Sequence, residues 1–454
     1  MRQRMFVWMI AMLGAVPSIA GASGLLYRPA STGQWVGIYQ GGDTRAVGFF
    51  AGQKFKSPAG SIKAPVASLP AFTCGAPPVS VAAFSAEFNV AGPPSTGIFL
   101  YDGVSDTIVD AVIEGAVTPA GGTYGKFKSG YPNPAIAINP GACVLHVFFR
   151  GQIGPPGPTN TALFDATFAL PGFVPFPVAL IAQESTTGAP PPFPGASTFG
   201  DFSDKLRLAA TFDGAAIDLA FRGKVIGGGV PTSSDTGVFV FSIPGTFATA
   251  VMEGSVTCAP TWPGAGAVYD DFGDSMEIAI GAPAGPYVLH RAKSKGGPSA
   301  TETALQFSPP LSCAFISLVA SAGALVPDGA VGGTYTAFAG STPLAMSSTG
   351  AAWLGKVSGG STPKALFSAG GGFGAASHIV RQASGDSALG SGLVSITGTV
   401  APAVNTLGKT VFRASVAGMA NGLFAYSGGP AEVVSFAGSN PQIDDAGNMT
   451  ARFP

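Results

Sequence analysis

The most regular charged feature of the sequence is a basic residue that recurs in six similar segments. In the clearest copies, two apolar residues precede the basic one, as in Phe148-Phe149-Arg150 and Val411-Phe412-Arg413. A ring of such cations could face an anionic ligand in a central channel. Alternatively, each long side chain covers a seam with its stem while its head pairs locally, and this is the role we expect. Glu114, Glu184 and Glu253 are the candidate partners. The basic residues are Arg150, Arg222, Arg291, Lys356, Arg413 and Arg452.

The densest acidic cluster lies in residues 269–277 and contains Asp270, Asp271, Asp274 and Glu277. Oxygen ligands at such spacing could bind calcium. The order of the residues departs from a D-x-D-x-D-G loop, which favours a solvated loop. Glycoside hydrolysis needs two converging carboxylates, and this cluster is the one notable place in the sequence that could supply them.

Three histidines, His146, His290 and His378, are too few and too scattered to argue for catalysis. His290 replaces a phenylalanine of its segment, so we expect its ring to pack between repeats. The sequence contains no G-x-S-x-G, H-E-x-x-H or Walker-type motif. We therefore predict no catalytic residue, no metal site and no cofactor.

Four cysteines, Cys74, Cys143, Cys258 and Cys313, fit an oxidising compartment and allow three pairings. Cys74 and Cys143 both precede the same type of strand in successive repeats, which favours a bond between them. Four reduced, buried cysteines are the alternative.

The composition favours an all-β protein. Of the 454 residues, 46% are hydrophobic and 10% charged, with 66 Gly and 39 Pro. Such a chain has the turn formers for many short strands and too much apolar content for disorder. The formal net charge of −1 provides no field for nucleic acid or anionic lipid, so neither is expected as a partner.

Residues 1–22 have the pattern of a secretory signal peptide. Arg2 and Arg4 precede an apolar run, which is followed by small residues ending at Ala20 and Ala22. We expect cleavage there and an exported protein, extracellular or periplasmic, with no stable membrane insertion afterwards. An uncleaved anchor is the alternative, although the run is short for a full span.

Seven short apolar strands recur along the chain and predict a repeat architecture. The clearest is Thr96-Gly97-Ile98-Phe99-Leu100, and consecutive copies are 57 to 75 residues apart. Turn residues divide each unit into four strands; in one unit we place them at 400–404, 409–415, 422–426 and 431–436. The Gly or Ala that marks each copy is Gly37, Gly97, Ala162, Gly237, Ala304, Ala365 or Gly422.

A second recurring segment carries an aromatic pair, such as Tyr124 with Phe127, between one unit and the next. We expect this pair to fill the gap between neighbouring blades.

The two termini supply complementary halves of one further unit. We expect residues 36–39 and 46–50 to form its third and fourth strands, and residues 439–454 its first and second. Closure of a ring in this way removes the open sheet edge, whereas an open solenoid would need polar caps. The prediction is a single all-β domain, residues 23–454, folded as a seven-bladed β-propeller of four-stranded blades. Six or eight blades follow if one weak unit is misread.

The turn and second strand resemble bacterial secreted repeat proteins named for an N-x-x-G-x-x-A-F motif. The best copies are 405–414, with Val411 in the alanine place, and 441–452, with Asp444 in the asparagine place. Asn139-Pro140-Gly141 departs from the pattern in the turn. The resemblance covers nearly all of the mature chain and implies a propeller-like exported protein, with no catalytic residues to transfer.

The function predicted from these features is a non-catalytic binding or structural platform for a protein or glycan ligand. One alternative is a carbohydrate-active hydrolase or lyase on the same ring. Another is a surface-layer or matrix component that associates through its weakly charged exterior.

Overall fold

Seven sheets stand in a ring round a common axis, and the protein is a seven-bladed β-propeller with four-strand blades. The structure is a computed structural model. It confirms the predicted fold class, an all-β, seven-bladed propeller. The structure describes residues 23–46, 48–59, 61–75, 78–127, 133–154, 160–200, 202, 206–257, 262, 267–281, 285–297, 302–309, 316–339, 341–370, 376–382, 389, 394–396, 401–416, 419–428, 430–435 and 437–453.

The described chain begins with two strands and a short 3-10 turn, then enters the first complete blade. The opening elements are β1 (Gly24–Arg28), β2 (Val36–Gln40) and the turn Gly48–Phe50. Blade 1 contains β3 (Val66–Leu69), β4 (Val79–Glu87), β5 (Thr96–Asp102) and β6 (Thr107–Ile113).

Blades 2 and 3 each divide the first strand position between two shorter strands. Blade 2 contains β7 (Thr123–Tyr124), β8 (Ala135–Asn139), β9 (Val144–Gly154), β10 (Thr161–Ala169), β11 (Val174–Pro175) and β12 (Ala179–Gln183). Blade 3 contains β13 (Ser197–Phe199), β14 (Leu208–Phe212), β15 (Ile217–Gly227), β16 (Thr236–Ile243) and β17 (Thr246–Met252).

In blade 4 the two short strands are merged into one long bulged strand. Blade 4 contains β18 (Val268–Gly281), β19 (Gly285–Lys295), β20 (Thr303–Ser308) and β21 (Ser317–Ser321). Blade 5 contains β22 (Thr334–Tyr335), β23 (Leu344–Ser347), β24 (Gly350–Ser358), β25 (Lys364–Gly370) and β26 (Ser377–Arg381).

The chain ends by returning to its beginning. Blade 6 contains β27 (Ala403–Val404), β28 (Thr410–Val416), β29 (Met419–Tyr426) and β30 (Glu432–Ser435). Blade 7 contains β31 (Ser439–Ile443) and β32 (Met449–Phe453), to which β1 and β2 are added. The four strands predicted at 400–404, 409–415, 422–426 and 431–436 correspond to those of blade 6, apart from residues 400 and 436, which lie outside the described residues.

Blade 7 joins the two ends of the chain as predicted, but its third and fourth strands differ from the prediction. β1 pairs with β32, and Leu25 lies opposite Arg452 as Leu423 lies opposite Arg413 in blade 6. Gly24, not Gly37, is therefore the equivalent of the recurring glycine, and β2 is the fourth strand. The physical reason is burial: β1 lies inside the sheet and is mainly buried, whereas Val36 of β2 is 40% exposed.

Hydrophobic clusters fill the interfaces between neighbouring blades, and the inter-blade aromatic pairs belong to them as expected. The ring centroids of Tyr124 and Phe127 are 5.8 Å apart, and those of Tyr335 and Phe338 are 5.7 Å apart. Phe50, in the 3-10 turn, fills the interface between blades 7 and 1 and stacks on Phe88 at 4.1 Å. Packing between blades, rather than one central core, thus stabilises the ring.

A disulfide links Cys74 and Cys143, with a Cα–Cα distance of 5.6 Å. It joins the β3–β4 loop of blade 1 to the β8–β9 loop of blade 2, and the favoured pairing is confirmed. Cys258, Cys313 and the predicted signal peptide, residues 1–22, lie outside the described residues. Within the described part of the chain, no helix has the length and apolar character needed to span a membrane.

Candidate binding site at the channel mouth

A cavity of about 600 Å³ lies on the axis of the ring. Six of the seven blades contribute to it, mostly through residues at or just before the start of their innermost strands. Those strands contact one another round the axis, so the cavity is the mouth of the central channel at the end where they begin. The contributing segments lie within 61–65, 133–136, 206–210, 276–277, 401 and 437–442, together with Arg413, Asn421 and Arg452.

The cavity brings together four cations and, among the described residues that line it, one carboxylate. Lys63 and Arg207 lie in the connections that precede β3 and β14. Arg413 and Arg452 lie on β28 and β32, and the carboxylate is Glu277 of β18. The described lining therefore carries an excess of positive charge, although the whole chain is nearly neutral.

Hydrogen bonds from two blades fix the connection that carries Lys63. The Lys63 backbone N–H donates to Asn133 Oδ1 of the adjoining blade 2 segment at 2.8 Å, and Asn133 Nδ2 donates to the Ser61 carbonyl at 3.3 Å. From blade 7, Asn440 Nδ2 donates to the Ile62 carbonyl at 2.9 Å. These amides fix the backbone that carries Lys63 while facing the cavity themselves.

Burial shifts the pKa values of two charged residues that line the cavity. Burial, reinforced by Arg207 and opposed by Glu277, lowers the pKa of Lys63 to about 8. Burial raises the pKa of Glu277, and Lys63 and Arg207 partly oppose that change. Lys63, Arg207 and Glu277 are thus close enough to interact electrostatically.

Two further arginines that line the cavity, Arg413 and Arg452, repel each other. Burial lowers the pKa of Arg413, and the charge of Arg452 lowers it further. The guanidinium is still protonated at neutral pH. The Nε of Arg413 is buried without a hydrogen-bond partner among the described groups, while Arg452 Nε donates to the Pro58 carbonyl at 3.4 Å.

The recurring basic residues serve two roles. Arg150 Nε donates to the Phe202 carbonyl at 2.6 Å, and Arg291 Nε donates to the Phe338 carbonyl at 3.1 Å, so both bind the aromatic segment leading into the next blade. This is the expected seam role. Arg452 Nε makes the same kind of bond to the Pro58 carbonyl, in the segment that leads from blade 7 into blade 1, and Arg452 also lines the channel mouth. Arg413 lines the channel mouth as well, as the ligand-facing alternative requires.

The three glutamates that were expected to pair with these cations instead bind hydroxyl groups. Glu114 Oε2 accepts from Thr96 at 3.0 Å, and Glu184 Oε2 accepts from Thr161 at 3.1 Å; Glu253 likewise accepts a hydrogen bond from Thr236. The reason is position: each glutamate directly follows a fourth strand and lies beside the threonine that begins the third strand, whereas the basic head groups of Arg150 and Arg291 reach the segment leading into the next blade.

The structure separates the members of the acidic cluster. Asp270 pairs with Lys293 at 2.8 Å and with Lys295 at 3.5 Å. Asp271 pairs with Arg222 at 2.9 Å and with Arg291 at 3.3 Å. The side chain of Asp274 lies outside the described residues, and Glu277 reaches the channel. The described side chains include no group of three His, Cys, Asp or Glu that could hold a metal ion.

The three histidines lie apart in the structure. His290 is fully buried, with Nε2 at 2.8 Å from Ser308 Oγ, and its ring packs as expected. His146 Nδ1 is 2.8 Å from Asp165 Oδ2, and His378 Nδ1 is 2.6 Å from Asp328 Oδ2. The two aspartate partners could not be chosen from the sequence, since nothing marks which residues the fold places beside the histidines.

Sequence reasoning also missed Lys63 and Arg207 as site residues. Both residues lie just before an innermost strand of the structure, where a propeller channel opens, but no strand is predicted from the sequence at either position. Neither residue belongs to a repeated motif, so the repeat pattern could not single them out.

The fold and this cavity define a class: a seven-bladed β-propeller with a cation-lined channel mouth. No family model and no curated protein matches the chain. Among solved structures, a Hadza microbial sialidase is 9% identical over 81% of this chain and 75% of its own, with a TM-score of 0.36. The SapL1 lectin in complex with alpha methyl fucoside is 11% identical over 82% and 95%, also with a TM-score of 0.36. An exo-beta-1,3-galactanase from Phanerochaete chrysosporium is 12% identical over 66% and 59%, with a TM-score of 0.28. At these scores the likenesses carry no argument about function.

Proposed function

We propose that this protein is an exported, non-catalytic propeller that binds a glycan in the mouth of its central channel. The observation that carries the proposal is the polar lining of the 600 Å³ cavity. Its volume is in the range of small-ligand sites. Side-chain amides both donate and accept hydrogen bonds, as sugar hydroxyls require. The amides that line the cavity are Asn133, Asn421, Asn440 and Gln442. Asn133, Asn440 and Gln442 also bind backbone groups, but an amide has two donor hydrogens and two acceptor lone pairs, so one such bond at an atom does not use up its capacity.

Export is supported by the Cys74–Cys143 disulfide. Disulfides persist in oxidising compartments and are rare in the cytosol. The pattern of residues 1–22 and the resemblance to secreted repeat proteins point the same way, and both are predictions.

The raised pKa of Glu277 favours a second candidate function, that of a carbohydrate-active hydrolase or lyase. Such a raised pKa is a property of carboxyl groups that act as general acids. Hydrolysis by paired carboxylates requires a second acid near the first. Among the described residues that line the cavity, Glu277 is the one carboxylate, and we therefore place binding first.

Filling the cavity tests the proposal. Ala437 lines the channel mouth, and Ala437→Trp should abolish binding to a printed panel of neutral, carboxylated and sulfated glycans because the indole occupies the space of the ligand. Ala215 is exposed in the turn that follows β14, at the other end of that innermost strand, so Ala215→Trp is the matched control and should bind like the wild type.

Equal binding by Ala437→Trp and the wild type would refute a channel site. If the wild type instead shortens panel glycans and Glu277→Gln stops this without weakening binding, the enzyme takes the place of the binding platform.

A further inference from the structure

The distribution of charge round the cavity is uneven. Glu277 lies near Lys63 and Arg207, so the cations contributed by blades 1 and 3 have a carboxylate beside them. Arg413 and Arg452, contributed by blades 6 and 7, interact unfavourably with each other. Glu277, the one carboxylate among the described residues that line the cavity, is not among the groups that shift the pKa of Arg413. Two like charges in a partly dehydrated site are costly unless an anion joins them.

The chemistry of the Arg413 and Arg452 side chains limits the kinds of anion that can bind between them. A guanidinium presents a planar fork of N–H donors that matches the oxygens of a carboxylate, sulfate or phosphate. The buried Nε of Arg413 is a donor still to be satisfied among the described groups. Asn421 and Gln442, with amides suited to hydroxyl groups, line the same cavity.

We propose that the ligand is an acidic saccharide whose oxyanion binds Arg413 and Arg452 while its hydroxyl groups contact the amides of the channel mouth. This inference rests on the proposed glycan-binding function and specifies its substrate class. Carboxylated and sulfated sugars share the required chemistry.

The test is titration calorimetry with three trisaccharides of similar size. The probes are tri-galacturonate, galactotriose and a sulfated galactotriose. We expect at least one acidic probe to bind about tenfold or more tightly than galactotriose, because hydrogen bonds to charged groups contribute that much. The tighter acidic probe identifies the oxyanion. Raising the salt concentration from about 0.05 to about 0.5 M should weaken binding of the acidic probe and leave binding of galactotriose nearly unchanged.

Variants locate the contact. Arg413→Gln and Arg452→Gln should each lower the affinity for the acidic probe about tenfold and leave the affinity for galactotriose unchanged. Arg413→Lys keeps the charge but loses the fork, so an intermediate loss is expected. Lys126→Gln removes one positive charge at a half-exposed residue outside the cavity lining, beside Glu87, and is the matched control. Unfolding curves in urea verify that each variant is folded.

The outcomes separate the two proposals. If galactotriose binds as tightly as the acidic probes and Ala437→Trp abolishes both, the channel site stands and the charge inference is wrong. If an acidic probe binds but Arg413→Gln and Arg452→Gln behave like Lys126→Gln, the inference is also wrong. If none of the three probes binds, the inference is overturned, while the glycan panel decides the proposed function separately.

Discussion

His290 occupies a position where several other blades carry a phenylalanine, and its ring lies edge-on to Phe272 at 5.7 Å. Burial lowers the pKa of His290 to about 4, opposed by a hydrogen bond with the backbone of Arg291. The folded protein therefore binds the proton less readily than the unfolded chain, whose histidine pKa is about 6.5. The resulting stability is complete above about pH 6.5 and is lost as the pH falls toward 4.

His290→Phe should remove this pH dependence. Between about pH 7 and about pH 5, the wild type should lose about 2 kcal/mol of unfolding free energy through His290. Over the same pH range, the His290→Phe variant should lose about 2 kcal/mol less unfolding free energy than the wild type. Urea unfolding at both pH values measures the difference. Loss of the Ser308 partner lowers the variant's stability at both pH values, so the change with pH is the readout. Parallel losses in the two proteins would contradict the prediction.

Buried carboxyl groups act in the opposite direction. Burial raises the pKa of Asp165, Asp218 and Asp444. Their contribution to stability is greatest at low pH and decreases as the pH rises through the folded pKa. These groups are present in both proteins, so the comparison of wild type with His290→Phe cancels them.

Among elements, the inter-blade aromatic segments of blades 2, 3 and 5 are bound to the preceding blade through polar groups as well as packing. The Phe338 N–H donates to Thr303 Oγ1 at 2.8 Å, and Arg291 Nε donates to the Phe338 carbonyl at 3.1 Å. Thr161 and Arg150 bind Phe202 in the same way. Because these backbone groups are buried, each needs a partner to avoid a desolvation cost.

Thr303→Val should therefore destabilise the ring by about 1–3 kcal/mol, because it removes the acceptor of a buried N–H and adds no cavity. Thr303→Ser keeps the hydroxyl and is the matched control, with a smaller expected loss. Urea unfolding of the two variants provides the measurement. Equal stability of Thr303→Val and the wild type would show that the Phe338 N–H has no energetic need of this partner.

The turn motif behind the family resemblance also acts between elements. Asn405 Oδ1 accepts from the Lys409 N–H at 2.9 Å, and Asn405 Nδ2 donates to the Asp444 carbonyl of blade 7 at 3.1 Å. Gly408 has a φ of +75°, which explains the glycine of the motif. Membership of the N-x-x-G-x-x-A-F proteins stays a prediction.

At the scale of the whole molecule, β1 and β32 connect the two ends of the chain within blade 7. Leu25, Leu26 and Tyr27 of β1 are each at most 3% exposed. Without β31 and β32, these side chains and one edge of β1 would lose their cover, and an unpaired edge favours association.

Removal of residues 439–454 should therefore lower the unfolding midpoint and produce oligomers or aggregates. Removal of Pro454 alone is the control and should leave the size and stability of the intact protein unchanged. Size-exclusion chromatography with urea unfolding distinguishes the two outcomes. A shortened protein with the same size and the same unfolding midpoint as the intact protein would show that ring closure is dispensable.

The sequence by itself determined the strand content, the blade count and the joining of the two termini, because these depend on local apolar runs and turn residues repeated along the chain. It also favoured the Cys74–Cys143 pair from equivalent positions in neighbouring repeats. It misassigned the strands near Gly37, because the apolar patterns of β1 and β2 are alike and only pairing with β32 distinguishes an inner strand from an outer one.

The candidate site was decided by the tertiary structure. Lys63, Arg207, Glu277, Arg413 and Arg452 come from five different blades, or the connections leading into them, and meet only because the ring closes round its axis. Arg413 and Arg452 share the recurring basic position, but no spacing in the sequence relates the other three residues to them. Likewise Asp270 and Asp271, next to Glu277 in the acidic cluster, are neutralised by ion pairs elsewhere on the blades. Repetition along the chain encodes the scaffold and the basic position that Arg413 and Arg452 hold. The other channel charges, Lys63, Arg207 and Glu277, lie outside that recurring position and join the two arginines only through closure of the ring.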